Sequence, residues 1–326
     1  PMGCKRRRHP LSWEMTEAQA CAKLILFGEH AVVYGRPAIA APLQGLSATA
    51  RLADAPHVGR QGILIRAVDL GEEYRLEEAP AEDPLAKAIK LAMETIGAPE
   101  HQGLEITIES SIPVAAGLGS SAAITVALLR GLSLHFDKAL TIEQISNLAY
   151  EVERLHHGTP SGIDNTVIAW ENPIYFVRGQ IPRRFRPGRP LHLVLGHSGI
   201  TTPTSEAVLG LRQRWERDSD TYERLFDAIG EISREALRAL QAGELARIGS
   251  LMDANQSLLE SLGVSLPELE RLTHAARQAG ALGAKLSSAG QGGIKVALTP
   301  PESASRVETA LLDHGAEWVR HASIAG

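Results

Sequence analysis

Residues 103–135 constrain this chain more than any other stretch. Gly103-Leu-Glu-Ile-Thr-Ile-Glu-Ser-Ser111 alternates apolar and polar residues, the period-two pattern of a half-buried strand. Residues 124–134 are apolar and read as a helix. Between them lies Pro113-Val-Ala-Ala-Gly-Leu-Gly-Ser-Ser-Ala-Ala123. Two glycines and two serines therefore sit where a strand hands over to a helix. The first N–H groups of a helix are unpaired, and the helix dipole adds positive potential there. Gly117 and Gly119 remove the side chains that would block an anion, and Ser120 and Ser121 add hydroxyls suited to phosphate or a metal. This is the build of a phosphate cradle. The same letters would also serve as a glycine turn with a serine N-cap, so the rest of the chain must decide.

The totals narrow the classes. At 326 residues the chain can bury a large core and divides naturally into two domains. Net charge is −5, and because residues 1–14 contribute +3, the remainder carries −8, which argues against a broad nucleic-acid surface. The two cysteines, Cys4 and Cys21, form no CxxC pair, so neither a disulfide framework nor a structural zinc site is expected, and a reducing, cytoplasmic setting fits. No apolar run approaches the ~20 residues of a membrane span. Residues 1–14 lack a signal-peptide core and read as an appended remnant or a disordered basic arm, with Met15 as a plausible start.

Strands lead the first half and helices the second. Strands are expected at residues 21–28 and 45–52, with a hairpin over 62–68 and 71–76 and a further strand at 103–111. Helices are expected at 84–96, 121–135 and 141–156. A short strand at 174–177 precedes a proline- and arginine-rich stretch, 179–190, read as the linker. Beyond it come a strand at 191–196 and helices over 204–242 (divided near 218–221), 243–261 and 267–279. A glycine-rich loop then feeds a strand within 284–298, followed by a helix at 301–314 and a strand at 316–322. This order points to two α+β domains, 15–182 and 183–326, rather than one doubly wound sheet.

Three phosphate motifs compete for the central loop. Walker A requires a Lys after its glycines, and none follows here. The dinucleotide fingerprint matches Gly117, Gly119 and Ala122, with Asp137 eighteen residues after Gly119. However, its first strand is usually apolar on both faces, and Asp137 follows a helix with no strand to carry it to a ribose. The third template, P-x-x-x-G-L-G-S-S-A, matches in full from Pro113 to Ala122. It resembles the nucleotide-binding signature of the GHMP small-molecule kinases. Lys23-Leu-Ile-Leu-Phe-Gly-Glu-His-Ala-Val-Val-Tyr-Gly35 and His157-Gly-Thr-Pro-Ser-Gly-Ile-Asp-Asn165 are similar to two further motifs of that family, in the form its mevalonate kinase branch carries.

The resemblance implies an N-terminal ribosomal-protein-S5-like domain and a C-terminal ferredoxin-like α/β sandwich. It also implies ATP and Mg²⁺ as cofactors and transfer of phosphate to the 5-hydroxyl of mevalonate. Pro113, Ala115, Gly117, Leu118, Gly119, Ser120, Ser121 and Ala122 would hold ATP, with Ser120, Ser121 and Glu153 as metal ligands. Glu153 lies eleven residues before Asp164, the family's metal-ligand spacing. Asp164 would be the base and Lys23 the cation that lowers the pKa of the attacking hydroxyl. Glu29, His30, Ser161, Gly162, Thr204, Ala289 and Gly290 would meet the substrate. A homodimer is common in the family, though no residue here marks one. The third family motif, K-[IL]-T-G-A-G-G-G-G, is matched only loosely by Lys285-Leu-Ser-Ser-Ala-Gly-Gln-Gly-Gly293. Ser288 and Gln291 replace glycines there and leave open another alcohol, such as phosphomevalonate or a sugar. A silent ligand-binding protein would be marked by loss of Lys23 or Asp164, and both are present.

Overall fold

The computed structural model describes residues 5–8, 14–98, 103–114, 116–157, 160–200, 204–288, 290 and 293–326, without the side chains of 5–8, 14, 156–157 and 204–205. The chain forms two compact units, each discontinuous in sequence. Unit 1 gathers Pro1–Ala22, Leu46–Pro113 and Gly119–Glu171, while unit 2 gathers Lys23–Gly45, Val114–Leu118 and Asn172–Gly326.

Two long strands, β2 (Glu14–Phe27) and β3 (Ala38–Asp54), run on from one unit into the other. β1 (Lys5–Arg8) pairs antiparallel with the start of β2, so part of the basic segment expected to be disordered is strand. In unit 1, the second half of β3 pairs antiparallel with β6 (Leu104–Ser110). β6 pairs parallel with β4 (Ile63–Ala67), and β4 forms a hairpin with β5 (Glu72–Arg75). β6 buries every second residue, as its alternation predicts.

Four helices complete unit 1: α1 (Pro84–Ile96), α2 (Ser120–His135), α3 (Ile142–His157) and α4 (Ile163–Trp170). Their ends follow local chemistry. Asp83 caps α1 by accepting from the Ala86 N–H at 2.6 Å, with Pro84 in the first turn and left-handed Gly97 as C-cap. Thr141 and Gln144 form a reciprocal capping box before α3. Asp137 sits in a left-handed turn directly after α2, with no strand to present it to a ribose.

Unit 2 contains β7 (Ile174–Phe176), which pairs with Ala38–Ala40 of β3, and β8 (Arg183–Arg184), which pairs with β7. The expected linker is thus packed rather than free. Phe185 is buried and the Gly188 N–H donates to the Leu240 carbonyl at 2.8 Å. Next come β9 (Leu191–His197), α5 (Thr204–Arg217), α6 (Ser219–Ala242), α7 (Leu245–Ser261), α8 (Pro267–Gln278), β10 (Gly283–Leu286), β11 (Ile294–Leu298), α9 (Ala304–Asp313) and β12 (Trp318–Ile324). The helix break falls at Asp218, whose carboxylate caps α6 through the Thr221 N–H. The antiparallel order β10-β11-β9-β12, with helices in both crossovers, is the ferredoxin-like arrangement. α8 and α9 bury Leu272, Ala276, Val307 and Leu311 in a core with Val194 of β9 and Ala297 of β11.

Candidate active site

In unit 1 the residues that the sequence nominates lie on three helices. Gly119 (φ +75°) is the N-cap of α2, and no side chain caps that helix. The first-turn N–H groups therefore open on Ser120 and Ser121, the second exposed. α3 packs on α2, and its core-facing stripe is Ile145, Ser146, Ala149, Val152 and Glu153. Glu153 is only 7% exposed, whereas Glu151 on the other face is exposed and paired with Arg154 at 3.1 Å. The two neighbouring glutamates thus separate cleanly into a solvated one and a buried one. Asn165 anchors α4 to α3 by donating to the Ser146 carbonyl at 2.9 Å and its hydroxyl at 3.0 Å. This leaves Asp164, in the first turn of α4, half-exposed at a helix end whose dipole favours negative charge. Ser161 serves the backbone, accepting from the Ile163 N–H at 3.3 Å, and Gly162 (φ +85°) is the N-cap of α4.

In unit 2 both glycine-rich loops dock on one edge of β2. The Lys23 N–H donates to the Leu118 carbonyl at 3.0 Å, and the Ile25 carbonyl accepts from the Ser287 hydroxyl at 3.0 Å. Residues two apart on a strand point their polar backbone groups to the same edge. Gly117 (φ +79°) needs its glycine twice over, because an added Cβ would lie 2.7 Å from Ser288 Cβ. Gly290 (φ +69°) is equally constrained, since a Cβ there would meet the Val264 carbonyl oxygen at 2.1 Å. Gly293 exchanges backbone hydrogen bonds with Ser198 and Ile200. The side chain of Lys23 is 1% exposed, a buried ammonium rather than a lysine at a strand edge.

The first motif is held from beneath by charge. Glu29 is fully buried: one oxygen accepts from the Lys285 ammonium and the other from Asn255 Nδ2 at 3.1 Å. The next residue, His30, has φ +60° and ψ −51°, and the Ala31 N–H reaches the Glu29 carbonyl at 2.7 Å. This is the rare positive-φ γ-turn, a strained conformation for a residue with a side chain. Burial lowers the Lys285 pKa and Glu29 pulls it back. A third buried lysine, Lys295, is pushed well below its ordinary value, first by burial and then by the charge of Lys285; its Nζ lies 3.4 Å from Gln256 Oε1. Asn255 and Gln256 had no role in the sequence reading. The available signal is two adjacent amides on the apolar stripe of α7, Leu251, Met252, Asn255, Gln256 and Leu259.

Ala115 and Ala289 lie outside the described residues, as do Gly158, Thr159 and Gln291; the backbone of Thr204 opens α5, and its side chain is not described. Pro113 is half-buried at the entry to the loop, and Ala122 is buried in the first turn of α2.

Comparison with known proteins accords with this geometry. The family models for the GHMP kinases N terminal domain and the GHMP kinases C terminal match residues 84–171 and 236–317. A mevalonate kinase of Thermococcus sibiricus is 36% identical over 310 residues, covering 90% of this chain and 92% of that one. Among solved structures, L. major mevalonate kinase in complex with R-mevalonate superposes with a TM-score of 0.82 at 30% identity, covering 99% of each chain. The Methanococcus jannaschii mevalonate kinase gives 0.82 at 25% identity over the full length of both. The chain belongs to the GHMP kinase family, whose members use ATP as phosphate donor.

Proposed function

We propose that this chain transfers the γ-phosphoryl group of ATP to the 5-hydroxyl of mevalonate. The observation that carries the reading is the backbone hydrogen bond between Lys23 and Leu118, which holds the phosphate loop beside a buried cation in unit 2. Phosphoryl transfer asks the protein mainly for positioning and charge neutralisation. The loop's N–H groups, uncapped at Gly119, suit a triphosphate. Asp164 takes the proton of the attacking hydroxyl, and Lys23 stabilises the charge that develops on its oxygen. The mevalonate assignment rests on similarity along nearly the whole chain to proteins named as mevalonate kinases.

The donors for Mg²⁺ fit a hard cation, namely the buried Glu153 carboxylate and the hydroxyls at the start of α2. When bound, the ion supplies neutralisation of phosphate charge. Phosphomevalonate would need a free cation for its phosphate. Arg36, one candidate, is committed to Asp227 and Glu223.

A coupled ADP-release assay over mevalonate, phosphomevalonate, galactose and homoserine tests the substrate, and turnover with mevalonate is expected to dominate. Asp164→Asn is expected to lose about 10²–10⁴-fold in kcat while still binding ATP. Near-normal turnover would remove Asp164 as the base.

A further inference from the structure

Two serines stand together where the family's third motif has threonine and glycine, and they do different work. Ser287 is buried, and its hydroxyl donates to the Ile25 carbonyl. Ser288 is half-exposed, and its hydroxyl makes no hydrogen bond among the described residues. Its backbone is left-handed, φ +69°, a conformation that disfavours any residue with a Cβ. Glycine would relieve that strain, yet a serine occupies the position. Its side chain lies directly over the phosphate loop: a Cβ built on Gly117 would come within 2.7 Å of Ser288 Cβ and 3.1 Å of its Oγ. Gly117 is itself left-handed, φ +79°. A strained residue with an unused hydroxyl, set against a loop built for anions, marks a functional position.

We infer that Ser288 is a further nucleotide-binding residue of this chain, its hydroxyl donating to a phosphate oxygen of ATP held on the loop at Gly117. The inference rests on the reading of that loop as the ATP site. It gives the departure at position 288 a purpose: the side chain adds a donor on the nucleotide side, where the family's glycine offers none.

The test compares wild type, Ser288→Ala and Ser288→Gly by calorimetric titration with ATP and with adenosine, and by steady-state kinetics with mevalonate. Ser288→Ala removes the hydroxyl and keeps the left-handed Cβ. It is expected to weaken ATP binding and raise KM for ATP about five- to tenfold, the scale of a hydrogen bond to a charged group at an accessible site. KM for mevalonate and binding of adenosine should stay unchanged. Ser288→Gly should show the same ATP defect with an undiminished Tm, because the strain is gone. Wild-type affinity for ATP in Ser288→Ala would overturn the inference, as would an equal loss for adenosine. Failure of the wild-type protein to bind ATP would overturn the loop reading itself, which keeps the two failures distinct.

Discussion

The two glycine-rich loops of unit 2 dock on the same strand edge but are built on opposite plans. The first, around Gly117, is held by backbone alone through the Lys23–Leu118 hydrogen bond, and the stretch 116–118 contributes no polar side chain. The second adds side-chain anchors to its backbone bonds at Ser287 and Gly293. Lys285 is buried against Glu29, and Ser287 bonds the Ile25 carbonyl. The left-handed positions of the first loop are both glycine, 117 and 119, whereas the second places a serine, Ser288, beside its left-handed glycines. A loop that must present N–H groups to a ligand keeps side chains out of the way. A loop that must stay in register against it can be fixed by a buried ion pair, since breaking such a pair is far costlier than its net contribution.

The largest expected effect breaks the second plan. Lys285→Met leaves the Glu29 carboxylate buried without its cation and should cost about 3–5 kcal/mol in urea unfolding. The double variant Lys285→Met/Glu29→Met should recover much of that loss, because no charge is then stranded. A loss under about 1 kcal/mol in the single variant would mean that the pair does not anchor the loop.

An intermediate effect tests the first plan. Gly117→Ala must adopt a left-handed backbone, at about 1–2 kcal/mol, and also meets Ser288 Cβ. Thermal unfolding and ATP titration should both register the change. Adding Ser288→Gly should restore the part due to the contact and leave the backbone part. Full additivity of the two substitutions would show that the loops do not press on each other.

The smallest effect concerns Lys295, a buried lysine whose Nζ donates to Gln256 Oε1. Its folded pKa lies below the ordinary 10.5. Folding therefore expels a proton between the two values, and stability rises with pH across that window. The penalty is fully present below the folded value and vanishes above 10.5. Lys295→Met should stabilise the protein by about 1–2 kcal/mol at neutral pH, and the gain should shrink as pH approaches 10.5. A gain independent of pH would show that folding does not lower the pKa of this lysine.

Local signals made much of the fold legible. α1 was readable to the residue because Asp83, Pro84 and Gly97 mark its ends chemically. β2 and β3 ran well beyond their predicted lengths: the polar start of β2 joins the sheet through β1, and the buried apolar start of β3 joins it through β7, far off in sequence. The stretch 179–190 looked like a linker because proline and arginine carry no periodicity. Its anchoring depends on the burial of Phe185 and on the Gly188–Leu240 hydrogen bond, contacts that no local pattern announces.

By itself, the sequence determined the strand–loop–helix at 104–135, the order of the family motifs and the residue types available for phosphoryl transfer, because those depend on local conformation and spacing. Only the tertiary structure decided what each charged group does. It separated buried Glu153 from solvated Glu151, though the two lie within one helical turn. It joined Glu29 to Lys285 across 256 positions, and it set Ser288 over Gly117. Desolvation and ion pairing are properties of neighbours in space, and the chain states its neighbours only in order. The phosphate loop was visible from its letters; its companion loop was not, because what holds it lies in another part of the chain.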